Sequence, residues 1–252
     1  MPGKLRLVIT IVAFVVFCVS AYSLARNYHQ EYTANRDLDN IRQAVIIETP
    51  ASPGETGSGE EDAFFTLSID FETLFEINPD IVAWLYIPGT PISYPLLHGS
   101  DNHFYLTHTF DRKANALGSI FLDYRNDPDF ADFNTIIYGH NTRDDAMFGS
   151  LKRFKEQAYA DENGVIHILK SGLSGEALVY EIFSVYETPG TSDTYTIRFP
   201  SEEAFAEYIK KMASGTIVDT GSLSDASRII TLSTCTPNDR DTRLVIQAKL
   251  VH

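Results

Sequence analysis

The sequence predicts a mainly β fold, a barrel or a sandwich, and three observations predict it. Seven to nine short runs rich in Val, Ile, Tyr and Phe recur from residue 81 onward, bounded by Gly, Pro, Asn or Asp. The chain carries 13 Tyr and 16 Phe, side chains that pack well on a pleated surface. Few helical stretches separate the runs, which argues against alternating crossovers and for hairpin-like connections.

The elements follow in order. Residues 7–25 are 19 consecutive positions without a charge. As a helix they span roughly 28 Å, close to the hydrocarbon thickness of a bilayer. Lys4 and Arg6 precede them, and Arg26, Glu31, Arg36 and Asp37 follow with mixed sign. The positive-inside rule then puts residues 1–6 in the cytoplasm and the rest of the domain outside. A cleaved signal peptide is the competing reading, given the small residues of Val19-Ser20-Ala21; the apolar run is longer than a usual signal core and favours an anchor. Residues 26–47 place Tyr28, Tyr32, Ile41 and Val45 at multiples of about four, yet a solvated stalk is the simpler reading. Residues 48–62 (ETPASPGETGSGEED) bury too little apolar area to offset ordering entropy and read as a flexible linker. Residues 26–62 are thus stalk and linker, and 63–252 the folded domain.

Within the domain, residues 70–77 suggest a short helix capped by Asp70 and stopped at Asn78-Pro79. Strands are expected at 81–87, ended by Pro88-Gly89, and at 91–97, with one helical turn over 102–107. Strands at 119–123 and 135–138 precede a helix over 147–154 carrying Phe148, Leu151 and Phe154 on one face. Further strands fall at 164–169, 178–186 and 195–199. A helix from Pro200 to about Met212 has Glu202 and Glu203 in its first turn and Lys210 and Lys211 in its last, matching the helix dipole. Strands at 228–233 and 244–251 close the domain. The net charge of −14 argues against a nucleic-acid partner, whose phosphates need Lys and Arg.

The chain has two cysteines. Cys18 lies in the apolar N-terminal run and reads as a lipid-facing small hydrophobe. Cys235 ends the β-branched run Ile229-Ile230-Thr231-Leu232-Ser233-Thr234. A thiol outside the cell without a partner needs an explanation. An inert buried cysteine is the plain alternative, but Thr236, Pro237 and the polar run 238–241 place Cys235 at a sheet rim. To act as a nucleophile it needs a base or cation nearby. Of seven histidines, His29 is in the stalk, His252 is the last residue, and His167 lies mid-strand and is expected to face solvent. His98, His103 and His108 recur every five residues, a spacing that fits no common metal site; no metal or cofactor is expected. His140 follows a buried-looking strand, Gly139 lets the backbone turn there, and Asn141 can fix a ring or a turn. Arg243 opens the last strand, eight positions after Cys235, where a short antiparallel connection brings the two side by side. A fixed cation there can stabilise the oxyanion of acyl transfer. Taken singly, His140 as a turn residue and Arg243 as a solvated partner of Asp239 or Asp241 remain open.

Taken together, Thr231-Leu232-Ser233-Thr234-Cys235, Tyr138-Gly139-His140-Asn141 with Met147-Phe148-Gly149-Ser150-Leu151, and Arg243 resemble the sortases, cysteine transpeptidases of Gram-positive cell surfaces. The resemblance is nearest to class B. Tyr94-Pro95, Asp101-Asn102 with Tyr105-Leu106, and Phe121-Leu122-Asp123-Tyr124-Arg125-Asn126 match class B segments in the same order, and the helix over 202–212 resembles the class B insertion. It covers about residues 71–251. It implies an eight-stranded β-barrel with an N-terminal helical lobe and a helix inserted between late strands. It also implies that Cys235 attacks the carbonyl carbon of a Thr in the C-terminal sorting signal of a surface protein. The thioacyl enzyme is then resolved by an amine of a peptidoglycan precursor or of a pilin. His140 would act as acid and base, and Arg243 would hold substrate and oxyanion. Asn102, Leu106 and Ser233, and more loosely Thr191 and Tyr195, match positions that line the signal groove. One departure is Pro237-Asn238-Asp239-Arg240, where many class B members carry an aromatic and acidic loop.

Other readings fit less well. A papain-like protease needs its Cys early, at a helix N-terminus, with His following. An L,D-transpeptidase needs a His-Gly-Cys-Arg-like run, which is absent. A pilin-polymerising enzyme and a non-catalytic surface module with the same barrel are the remaining alternatives.

Overall fold

The structure is a computed structural model that describes residues 2–49, 66–142, 144–171, 177–219, 226–235 and 241–251. Most of the expected linker and the loop 236–240 lie outside the described residues.

Eight strands close into a barrel. They are β3 (Ile81–Tyr86), β4 (Ser93–Leu97), β5 (Ile120–Leu122), β6 (Asn134–Tyr138), β7 (Val165–Lys170), β8 (Ala177–Pro189), β9 (Ile229–Cys235) and β10 (Thr242–Leu250). Around the barrel the order is β10-β8-β7-β3-β4-β5-β6-β9, closed by the β9–β10 pair. The pairing is not wholly antiparallel: β4 pairs with β5, and β6 with β9, in parallel. A short sheet of β1 (Ile46–Thr49) and β2 (Thr66–Ile69) precedes the barrel.

Strand alternation sorts side chains between two apolar clusters. Ile230 and Leu232 of β9 join Leu244, Ile246 and Ala248 of β10 in the main barrel core. Ile229 and Val245, on the other face, pack with Phe183 and Tyr186 against Phe205, Tyr208, Ile209 and Met212. Those last four are the buried stripe of α4 (Glu202–Ser214), inserted between β8 and β9 and capped by Ser201, whose hydroxyl accepts from the Ala204 amide at 3.3 Å. The helix therefore roofs the outer face of β9 and β10.

Two shorter helices flank the barrel. In α2 (Phe71–Ile77) Asp70 accepts from the Thr73 amide, and the helix ends at Asn78 as expected. Phe148, Leu151 and Phe154 are buried together, but on a tight 3-10 turn over Gly149–Lys155 followed by α3 (Gln157–Glu162).

Three expectations need correction. The solvated stalk is instead helical, because α1 runs unbroken over Pro2–Val45. Its Ala34, Leu38, Ile41 and Val45 recur at helical spacing and are buried in the main core. Each such Leu, Ile or Val contributes about 1.5–3 kcal/mol relative to exposure. Arg42 fastens the end of the helix, donating from Nε to the Ser93 carbonyl at 2.7 Å and lying 4.6 Å above the Tyr94 ring. Residues 195–199 are not a strand: Asp193–Tyr195 is a 3-10 turn. The Asn134 amide donates to the Thr194 and Thr196 carbonyls at 3.1 and 2.9 Å, occupying backbone acceptors that a ladder would have used. His167 is half-buried beside Tyr86, ring centroids 6.1 Å apart, rather than turned to solvent.

Candidate active site

The three sequence-predicted reactive residues converge by strand register. Arg243 is the direct antiparallel partner of Cys235. On the other side of β9, Tyr138 of β6 pairs in parallel with Ser233, and the Gly139 amide donates to the Ser233 carbonyl at 3.2 Å. His140 and Cys235 each follow this last pair by two residues. Adjacent strands are about 4.8 Å apart, so the three positions span one rim of the barrel.

The turn that follows β6 is built around His140. Asn141 bridges Met147, the Phe148 amide donates to the His140 carbonyl at 2.9 Å, and the Thr142 hydroxyl donates to the Ala146 carbonyl at 2.6 Å. Phe148 packs on Gly139, where a Cβ would fall 2.7 Å from its ring and 2.5 Å from Ile120 Cδ1. That contact leaves no room for a side chain at position 139. The imidazole Nε2 lies 2.7 Å from the Leu106 carbonyl. A carbonyl only accepts, so this nitrogen carries a hydrogen and Nδ1 is the remaining ring position. Gly118, at φ +61°, passes beneath the ring: a Cβ there would lie 2.9 Å from His140 Cδ2 and 2.7 Å from the Tyr105 carbonyl oxygen. Leu106 thus meets the histidine through its backbone, and its side chain is partly exposed.

Arg243 is supported from β8. Gly190 follows that strand, and its amide donates to the Asp241 carbonyl at 2.9 Å. A Cβ on Gly190 would sit 3.5 Å from Cζ and Nη2 and 3.6 Å from Nε of Arg243. These near-equal distances put the flat of the guanidinium over Gly190. Thr191 is the next residue and is exposed.

The other expected groove residues are brought together in a chain of contacts. Ser233 is buried, and its Oγ lies 2.9 Å from the Tyr195 hydroxyl. The Tyr195 ring stacks on Tyr138, centroids 6.3 Å apart at 24°. The Tyr138 hydroxyl donates to Asp123 Oδ2 at 3.0 Å. Asn102 accepts from the Tyr124 amide, next to Asp123, at 3.0 Å.

Asp123 is the hub that the sequence did not single out. Its side chain is fully buried and takes two bonds from Arg125, Nε and Nη2 each at 2.8 Å. Burial pushes the carboxyl up, but the Arg125 bonds, the Arg125 amide and its charge outweigh this and hold it below the ordinary value. Burial, then the nearby Asp123 charge, raises the Tyr138 phenol, so it stays protonated and donates. The signal in the sequence was the Asp-x-Arg spacing, which resembles an ordinary turn.

The sortase domain family matches residues 85–251. The chain is similar to sortase B of Listeria monocytogenes, 35% identical over 248 residues that cover 96% of this chain and 95% of that protein. It is similar to sortase B of Staphylococcus aureus, 32% identical over 184 residues that cover 72% and 74% of the two chains. The X-ray structure of sortase B from Clostridium perfringens superposes with a TM-score of 0.67 at 33% identity, covering 73% of this chain and 100% of that one.

Proposed function

This chain belongs to the sortase family, with class B relatives, and is a cysteine transpeptidase; we propose that Cys235 is its nucleophile, His140 its acid and base, and Arg243 its oxyanion ligand. The observation that carries this reading is the register of β9 between β6 and β10, which sets Arg243 opposite Cys235, and Tyr138, two residues before His140, opposite Ser233, two residues before Cys235.

The Cys235 thiolate attacks the carbonyl carbon of a Thr in a C-terminal sorting signal. Arg243 meets the charge that develops on the carbonyl oxygen. The amide C–N bond breaks as the His140 imidazolium gives its proton to the leaving amine, leaving a thioester on Cys235. An amine of a peptidoglycan precursor then attacks the thioester, His140 takes back a proton, and the new amide departs. The acyl donor is held along Asn102, Leu106, Thr191, Tyr195 and Ser233. The apolar part of α1 anchors the enzyme in the cell membrane with residues 1–6 cytoplasmic and the barrel outside. Supporting this, the helix is long and apolar enough to cross a membrane, with large apolar side chains exposed from Leu5 to Leu24.

The test is cleavage of a small library of Thr-containing pentapeptides by the full chain in detergent, read by mass spectrometry with and without an added amine. Cleavage after Thr and an amine-dependent product are expected. Cys235→Ala is expected to abolish both with the fold intact, and His140→Ala to be as damaging. Turnover above a few per cent of wild type in Cys235→Ala overturns the nucleophile assignment.

A further inference from the structure

Beside Tyr195 the surface opens into a concavity of about 620 Å³ lined by Arg125, Tyr195, Thr196, Ile197 and Arg198. Two of these five residues are arginines, in a chain whose net charge is −14. The concavity is continuous with the candidate site, because Tyr195 belongs to both: its hydroxyl meets Ser233, two residues before Cys235 in β9.

Both arginines suit a fixed anion. Arg125 is pinned by its two bonds to buried Asp123, which occupy Nε and Nη2 and leave Nη1 as the remaining edge. Asp123 is itself held by the Tyr138 hydroxyl. Arg198 is exposed and takes part in none of the ion pairs found among the described residues. Asp123 is already paired with Arg125, and Asp193 with Lys211; Asp127, Glu202 and Glu203, also near in sequence, do not line the concavity. A guanidinium offers planar donors that match a carboxylate, and a pinned guanidinium loses little freedom on binding.

The direction along the groove follows from His140. Its ring lies at the rim against Leu106 and Gly118, where a leaving amine must receive its proton. The concavity lies on the Ser233 side, back along β9 from Cys235, where the acyl portion of the peptide remains through both half-reactions. We propose that this concavity is a carboxylate subsite that reads an Asp or Glu of the sorting peptide N-terminal to the cleaved threonine. An excess negative charge on the enzyme repels such a peptide at long range, so recognition depends on the local Arg198 charge, with the remaining Nη1 edge of Arg125 as a second donor. The subsite rests on the reading that a peptide is the acyl donor at Cys235.

The experiment separates binding from chemistry. Full-length Cys235→Ala protein in detergent is titrated with labelled peptides in which one Glu or Gln is moved through the four positions before the threonine. At one position the Glu peptide is expected to bind about tenfold more tightly than its Gln counterpart at low salt. That ratio shrinks at high salt. Arg198→Ala removes the preference, Arg198→Glu reverses it, and affinity for the Gln peptide stays within about twofold. In the otherwise native enzyme the preference appears in KM rather than kcat. Equal affinities at every position, or a Glu preference that survives Arg198→Glu, overturns the subsite. So does Arg198-dependent binding of inorganic pyrophosphate without any charge preference among peptides, which assigns the arginines to a phosphate ligand. Failure of the native enzyme to cleave any peptide overturns the transpeptidase assignment for Cys235 instead, and leaves the binding ratio as a separate result.

Discussion

The two faces of β9 solve different problems with the same seven residues. Inward, Ile230 and Leu232 enter a wholly apolar core and are specified by size. Outward, Thr231 donates to Asn134 Oδ1 at 2.7 Å and accepts from Gln247 at 3.1 Å, while Gln247 also reaches the Tyr208 hydroxyl at 2.9 Å. Tyr208 in turn donates to the Thr194 carbonyl at 2.8 Å. This buried polar stripe runs up the strand to Ser233, whose Oγ meets the Tyr195 hydroxyl. The inner face holds the barrel closed, and the outer face sets where Tyr195 and its segment lie. Barrel packing and the placement of the Tyr195 segment thus fall to different faces of one strand.

Leu232→Ala should show the largest effect on stability, a loss of about 2–5 kcal/mol with a cavity left behind, measured by chemical denaturation. If kcat/KM per folded molecule also collapses, the two faces are not independent. Arg243→Lys should lower kcat/KM by about a hundredfold, because an ammonium cannot copy a flat fork laid over Gly190, while leaving the denaturation midpoint within error. Near-normal turnover removes Arg243 from the chemistry. Asn134→Ala should cost about 1–3 kcal/mol for the acceptors and hydroxyl it orphans, and should also raise KM through the displaced 193–196 segment. A stability loss without a KM change would mean that the outer network does not position Tyr195.

Two smaller effects depend on pH. Asp123 contributes stability that is present above the ordinary carboxylate range and lost as pH falls through its lowered folded value. Asp123→Asn should therefore flatten the acid limb of the stability curve. Burial lowers the His167 pKa below its ordinary 6.5. The unfolded chain then binds the extra proton first, so stability falls as pH drops below 6.5. His167→Gln should remove that shallow slope between neutral and mildly acid pH, seen in melting temperatures across a pH series. A slope of equal size in the variant would assign it elsewhere.

Much of this was legible in the sequence, and the misses have physical causes. The barrel strands announce themselves because β-branched runs alternate between turn residues, as in 229–235 and 242–250. Cys235, His140 and Arg243 stand out because reactive residues at strand ends are few. The packing of α1 was hidden, since a helix shows which face is apolar but not what will cover it. Tyr28 and Tyr32 share the periodicity of Ile41 and Val45, yet only the latter pair is buried. The segment 195–199 has strand-forming residues, but its backbone is claimed by Asn134, about sixty positions earlier. Asp123 was hidden for the same reason: its partner Tyr138 lies fifteen residues on, and only folding brings the two together.

The unbroken course of α1 makes the height and azimuth of the barrel a matter of helix geometry. About nine residues, or roughly 14 Å, separate the end of the uncharged run at Ala25 from the first core contact at Ala34. On the proposed anchoring of the apolar run in a membrane, an unbroken helix leaves little room for the candidate rim to swivel over the bilayer. Each residue added or removed in that interval would turn the rim by about 100° as well as lift or lower it, so the reach of the enzyme is phased like a screw thread rather than tuned like a tether.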